Sequence, residues 1–270
     1  MTAQKWLDRY GPWVVVTGAS DGIGRAFAGA LADRGFNVVL VARRATALAD
    51  VAAAIARRNG VATRTIAADL GTAEGVLAVI NQTAALDVGL LVAAAGFGTA
   101  GPFLTTNLDD ELDMIDVNCR AVAALAKMFA ARFAARGRGG MILFGSIVAY
   151  QGVPNAANYA ATKAYVQTLA EGLRQELKRS GVDVLSCAPG PVHSGFAARS
   201  RMEMGAAMLP DDVVTGALAA LGRKTTVWPG ILSKILIGSL ATLPRFARTA
   251  IMGRIMAGMT KRLHESQSQT

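Results

Sequence analysis

Residues 13–24 read Trp-Val-Val-Val-Thr-Gly-Ala-Ser-Asp-Gly-Ile-Gly, a β-branched apolar run that ends in glycines. Such a run is a buried-strand signal. Gly18, Gly22 and Gly24 are followed by an alanine-rich segment that closes at Arg34-Gly35. Glycine allows a sharp turn and lets backbone N–H groups approach a pyrophosphate, and the helix N-terminus that follows favours its negative charge. Strand, glycine turn and helix in that order predict a dinucleotide site built from Gly18, Ser20, Asp21, Gly22, Ile23 and Gly24. The spacing is G-x-x-x-G-x-G rather than G-x-G-x-x-G.

Outward from that turn the pattern alternates. Apolar runs at 13–17, 37–42, 62–67, 88–94, 140–145, 182–188 and 224–228 read as strands. Segments at 22–34, 45–58, 73–84, 108–136, 157–180 and 211–221 read as helices. Alternation of this length predicts an α/β fold, a doubly wound parallel seven-stranded sheet of Rossmann type with right-handed crossovers. Residues 1–228 then form one dinucleotide-binding catalytic domain, and 229–270 a basic, amphipathic C-terminal extension. Ligands of such sheets bind beyond the C-terminal strand ends, which predicts one edge lined by Gly18, Arg43, Asp69, Ser146 and Pro189. Val166, Leu169, Leu173 and Leu177 form an apolar stripe that is either core or subunit interface.

The chemistry-bearing stretch is 146–163, Ser-Ile-Val-Ala-Tyr-Gln-Gly-Val-Pro-Asn-Ala-Ala-Asn-Tyr-Ala-Ala-Thr-Lys. Tyr159 and Lys163 are spaced to share one helix face. A free phenol titrates near about 10 and is a poor acid or base at neutral pH. An ammonium beside it is expected to lower that value. Ser146 leaves a strand and can bring a hydroxyl to the same place.

Taken with Asp69-Leu70, Ala93-Ala94-Ala95-Gly96, Asn118 and Pro189-Gly190, these motifs resemble the single-domain branch of the short-chain dehydrogenase/reductase family, from about Trp13 to Trp228. The resemblance is looser to its ketoacyl and hydroxysteroid reductase members. It implies hydride transfer between a nicotinamide and a carbonyl or secondary alcohol, without a metal. Tyr159 would be the proton donor in reduction, Ser146 would hold the substrate oxygen, and Lys163 would act on Tyr159 and the nicotinamide ribose. Asn118 would carry a proton path to Lys163. Leu70, Ala95, Gly96, Pro189, Gly190, Val192 and Ser194 would also line the cofactor, with Ser194 near the carboxamide. Asp69 would accept from the adenine amino group, cap a helix, or do both. Arg43 and Arg44, at the end of the second strand, would attract a 2′-phosphate by charge-assisted bonds, so NADP(H) is expected over NAD(H). The family commonly has asparagines where Ala93 and Ala94 stand, which removes a tie between strands. A homodimer or homotetramer follows from family habit. The alternatives are a cofactor sensor without turnover and a membrane-surface interaction protein built on the C-terminal extension.

Composition sets the bounds. The chain has 270 residues, 52% hydrophobic, with 28 basic and 19 acidic side chains. Eight of the basic residues and none of the acidic ones fall in 213–264, leaving 20 against 19 elsewhere. Two cysteines, Cys119 and Cys187, in apolar segments point to buried free thiols, and a cytoplasmic setting is expected. Few aromatics accompany the basic tail, so nucleic acid is not an expected partner. By the same resemblance, residues 195–209 would stand where the family has a mobile substrate lid, and Met202, Met204 and Met208 would give it a soft apolar surface that leans toward an apolar or acyl-chain substrate. The extension mixes apolar runs with Lys234, Arg245 and Arg248. Its longest run is too short to span a bilayer. It either lies on an anionic membrane surface or folds over the cleft or a subunit interface.

Overall fold

The computed structural model describes residues 2–200 and 207–259. Seven strands form one parallel sheet in the order β3-β2-β1-β4-β5-β6-β7. They are β1 (Trp13–Thr17), β2 (Asn37–Ala42), β3 (Thr63–Ala67), β4 (Val88–Ala93), β5 (Gly139–Phe144), β6 (Val182–Cys187) and β7 (Thr226–Val227). Helices α1 (Ala3–Tyr10), α2 (Gly22–Ala32), α3 (Ala45–Asn59), α4 (Ala73–Gln82), α5 (Leu108–Ile115), α6 (Ala121–Arg136), α7 (Ala157–Leu177), α8 (Phe196–Ser200) and α9 (Pro210–Ala220) surround it. Two more, α10 (Ile231–Ala241) and α11 (Arg245–Met259), make up the extension.

Helices cover both sheet faces, which is why β4 and β5 are buried along their whole length. One apolar layer packs Phe27, Leu31 and Val213 against Val14, Val16 and Leu40. The other packs Phe129, Phe133, Leu125 and Val166 against Val15, Leu91 and Leu143. Strand order reverses between β1 and β4, and this opens a crevice at their C-terminal ends.

Three elements depart from the sequence reading. The helix expected over 108–136 is broken by a π-helical turn at Asp116–Arg120, which holds Asn118. Every residue of such a turn is still helical in kind, so composition gives no sign of it, and only the phase of the apolar positions shifts. The last strand is two residues rather than five, because only Thr226 and Val227 pair with β6. Helix α1 was not expected, since eight residues offer too little periodicity. It forms because Trp6 and Tyr10 are buried, and because the Tyr10 hydroxyl and Arg9 Nε each donate to Asp183 Oδ2 at 2.7 Å. This cluster closes the sheet's N-terminal edge, opposite the crevice.

The apolar stripe on α7 splits in two. Val166 is core, and Leu173 and Leu177 pack against it. Leu169 faces an outer groove with Ala161, Ala164, Tyr165, Thr168 and Gly172. No helix among the described residues is long and apolar enough to cross a membrane.

Candidate active site

The crevice is a cleft of about 600 Å³. Its nucleotide end is the turn after β1. There the backbone is so close-packed that a Cβ on Gly24 would collide with the Gly18 carbonyl, and one on Gly18 would stand 3.0 Å from Ala94 O. Only glycine leaves room for this turn and for a phosphate above it. Asp21 caps α2, with Oδ1 accepting from Gly22 N at 2.7 Å. Thr17 Oγ1 accepts from Ala95 N at 3.0 Å. That bond ties β1 to the loop after β4, where Ala93 and Ala94 offer no side-chain amide.

Gly18, Ser20, Asp21, Gly22, Ile23 and Gly24 all line the cleft, as do Arg43, Arg44, Asp69, Leu70, Ala95 and Gly96. So do Ser146, Tyr159, Pro189, Gly190, Val192 and Ser194. Arg43 and Arg44 are exposed at the start of α3. Two cations at a helix N-terminus oppose its dipole, and an anion held between them would relieve this. Asp69 does not cap α4. Thr72 does, through Gly75 N at 3.0 Å, while Asp69 Oδ1 holds its own loop through Gly71 N at 2.9 Å. His193 is exposed and stands outside the cleft lining.

At the other end, Ser146 follows β5 and Tyr159 rises from the first turn of α7. Both line the cleft, and the Ser146 hydroxyl lies near enough to the Tyr159 hydroxyl to favour its ionised form. Ser146 Oγ accepts from Val148 N at 3.4 Å. Lys163 Nζ lies 5.8 Å from the Tyr159 ring centre. It donates to the Phe144 carbonyl at 3.0 Å. Lys163 and Asn118 do not line the cleft; they sit buried beneath its floor, beside Gly96. Asn118 clamps the Phe97 backbone, with Nδ2 donating to Phe97 O at 2.8 Å and Oδ1 accepting from Phe97 N at 3.1 Å. It donates again to Thr162 Oγ1 at 3.1 Å. The π turn aims its amide there.

The electrostatics correct one expectation. Burial pushes the Tyr159 hydroxyl up to about 12, partly offset by the nearby Ser146 hydroxyl. Burial pushes the Lys163 ammonium down to about 8. Loss of water dominates both groups, and the ammonium spends itself on a backbone carbonyl rather than on the phenol.

Several residues escaped the sequence reading. Glu111, buried, accepts from Thr99 Oγ1 and from Asn158 Nδ2, both at 2.7 Å, and so fixes the chain next to Tyr159. Phe196 packs on Tyr159 with ring centres 5.5 Å apart. Arg199 lies 3.6 Å over the Phe97 ring. Gly195 N donates to Asp21 Oδ2 at 2.9 Å, joining the loop after β6 to the glycine turn. Leu236 of α10 and Met252, Ile255, Met256 and Met259 of α11 form an apolar wall of the cleft. The sequence leaves the extension open between a membrane surface, a subunit interface and the cleft; in the structure these side chains lie on the cleft. Met202 and Met204 lie outside the described residues.

The family model for short chain dehydrogenases matches residues 12–205. The 7beta-hydroxysteroid dehydrogenase of Clostridium sardiniense is 33% identical over 231 residues, covering 84% of this chain and 88% of that protein. The very-long-chain 3-oxoacyl-CoA reductase of Mycosarcoma maydis is 37% identical over 234 residues, covering 81% of this chain and 66% of that longer protein. A short-chain dehydrogenase from Sphingobium yanoikuyae, solved in complex with NADPH, has a TM-score of 0.78 at 30% identity, over 87% of this chain and 97% of that one. Fold, cleft and likeness place this chain in the short-chain dehydrogenase/reductase family. It is an oxidoreductase that transfers hydride between a nicotinamide dinucleotide and a carbonyl or secondary alcohol.

Proposed function

We propose that the chain is an NADP(H)-preferring carbonyl reductase or alcohol dehydrogenase for an apolar, acyl-chain or ring-bearing substrate. The observation that carries this reading is the Ser146–Tyr159 hydroxyl pair, set between the glycine turn and the apolar wall of α11. The bound nicotinamide supplies or accepts the hydride. Gly18, Ser20 and Gly24 hold the pyrophosphate on backbone N–H groups, and Asp69 takes the adenine amino group. Arg43, with Arg44 behind it, takes the 2′-phosphate. Ser194 holds the carboxamide.

The chain's own chemistry is proton movement and orientation. Ser146 donates to the substrate oxygen and polarises the carbonyl. In reduction Tyr159 gives the same oxygen its proton, which burial keeps on the phenol at neutral pH. Lys163, poised near neutrality, replaces that proton through Asn118 and water. The wall of Leu236, Met252, Ile255 and Met256 excludes water and accepts a bulky apolar group. The names of the Clostridium and Mycosarcoma relatives, a steroid and a very-long-chain acyl reductase, fit such a wall.

The groove along the outer side of α7, with Tyr165 exposed, is where a second copy would pack. Light scattering of wild type and Leu169→Glu tests that pairing. A panel of aliphatic ketones, 3-oxoacyl thioesters and keto-steroids, followed by cofactor absorbance with NADPH and NADH, tests the main reading. Turnover that rises with apolar size and favours NADPH is expected. Preference for small polar ketones, or equal use of NADH, overturns the corresponding part.

A further inference from the structure

Helix α10 carries apolar side chains on both its inner and its outer side. Its inner side packs Leu236, Ile237 and Leu240 on Ile147, Val148 and Ala160 beside the site. Its outer side leaves Ile231, Leu232 and Ile235 exposed at 74%, 66% and 61%. Phe246, at the start of α11, is exposed at 79%. A patch of this kind on a folded chain marks a surface that meets something apolar.

The charge around the patch says what. Lys234 adjoins Ile235, Arg245 adjoins Phe246 and Arg254 adjoins Ile255, and all three cations are exposed. None of the three pairs with a carboxylate among the described residues. There is no acidic residue anywhere from 213 to 264. Arg248 is different: Nε donates to Leu243 O at 2.8 Å and Nη2 to Ala241 O at 3.3 Å, stitching α11 to the carbonyl end of α10. The free cations therefore belong to the outer side. A second copy meeting this patch about a two-fold axis would bring like charges together with no acid to answer them. An anionic lipid surface answers both features at once. It accepts bulky apolar side chains below the headgroups and cations at the phosphates.

We propose that α10 and α11 dock this enzyme on an anionic lipid surface, with the cleft opening beside the docked face. The helices hold 11 and 15 residues, so they lie on the surface rather than span it. Ile255 is 40% exposed and also lines the cleft, so the mouth reaches the edge of the patch. A substrate dissolved in the bilayer would enter without crossing water. Only this delivery step rests on the apolar-substrate reading; the docking does not.

The test is co-sedimentation of the full-length protein with vesicles of phosphatidylcholine alone and of phosphatidylcholine with phosphatidylglycerol, at low and high salt. Binding to the anionic vesicles, weakened by salt, is expected. Each cation near such a surface is worth about fivefold in partition, so Arg245→Gln with Arg254→Gln should weaken it about 25-fold. Ile231→Ser with Ile235→Ser should weaken it at least tenfold. Turnover of a water-soluble ketone with NADPH in vesicle-free buffer should be unchanged in both variants, which also reports an intact fold. Absent binding, equal binding to both vesicle types, or variants that bind as wild type does would overturn the proposal. Self-association that depends on Ile231 and Ile235 would overturn it too, in favour of a second copy. Failure of every ketone in vesicle-free buffer would instead sink the substrate reading and leave the docking result standing.

Discussion

Lys163→Met separates the energetic cost of the site from its chemistry. Methionine keeps the length of the side chain and removes its charge. In the folded protein the ammonium titrates at about 8, against 10.5 for an exposed lysine, and burial is the cause. Between those values the unfolded chain binds the proton and the folded chain does not. Stability of the wild type therefore rises with pH across that window and is lowest below it. At about 1.4 kcal/mol per pH unit, the full cost of holding the charged form is about 3 kcal/mol at pH 7. The variant escapes this cost but loses the bond to the Phe144 carbonyl, worth about 1 kcal/mol. It should be about 2 kcal/mol more stable than wild type at pH 7 and close to parity at pH 10, while losing catalysis. Equilibrium urea unfolding of the cofactor-free proteins at pH 7, 8, 9 and 10 measures this. Tyr159, raised to about 12, keeps its proton beyond the range where the unfolded phenol begins to lose it near 10. Its contribution is lost only above pH 10; the raised Cys187 thiol is common to both proteins, and Cys119, whose thiol interacts with Lys163, is replaced by alanine in both. The wild-type-minus-variant difference isolates Lys163. Parallel stability profiles for the two proteins from pH 7 to 10 would refute the reasoning.

Tyr159→Phe should lower kcat by about 10² to 10⁴ while NADPH binding, read by fluorescence, persists. Arg43→Ser should raise the KM for NADPH about 10- to 100-fold and leave that for NADH in place, since each charge-assisted bond is worth about 1.5–3 kcal/mol. Asp21→Ala frees the loop after β6 from the glycine turn. Stopped-flow release of NADP should quicken about five- to tenfold, with about 1 kcal/mol of stability lost from the α2 cap.

Much of this molecule could be read in the sequence because two periods carry it. The β-branched runs at 13–17 and 37–42 and the glycines between Gly18 and Gly24 fix strand, turn and helix by local sterics. Parallel topology then gathers distant residues such as Arg43, Ser146 and Pro189 at one edge. What stayed hidden depends on contacts far apart in the chain. The protonation balance of Tyr159 and Lys163 depends on burial and on the Phe144 carbonyl, not on their spacing. The α11 wall depends on which way Met252 and Met256 turn once α10 has packed. Helix α1 exists because Tyr10 finds Asp183, 173 positions away.

The π turn at Asp116–Arg120 adds one residue to an otherwise continuous rod. Each residue of a helix advances its face by about 100°, so α5 and α6 are out of phase with each other across this point. Removing one residue there would restore a regular helix and swing either Asn118 or the whole of α5 through that angle. Beyond the Asn118 amide itself, the segment's length is locked: insertions or deletions in it sever Phe97 and Thr162 from that shared amide.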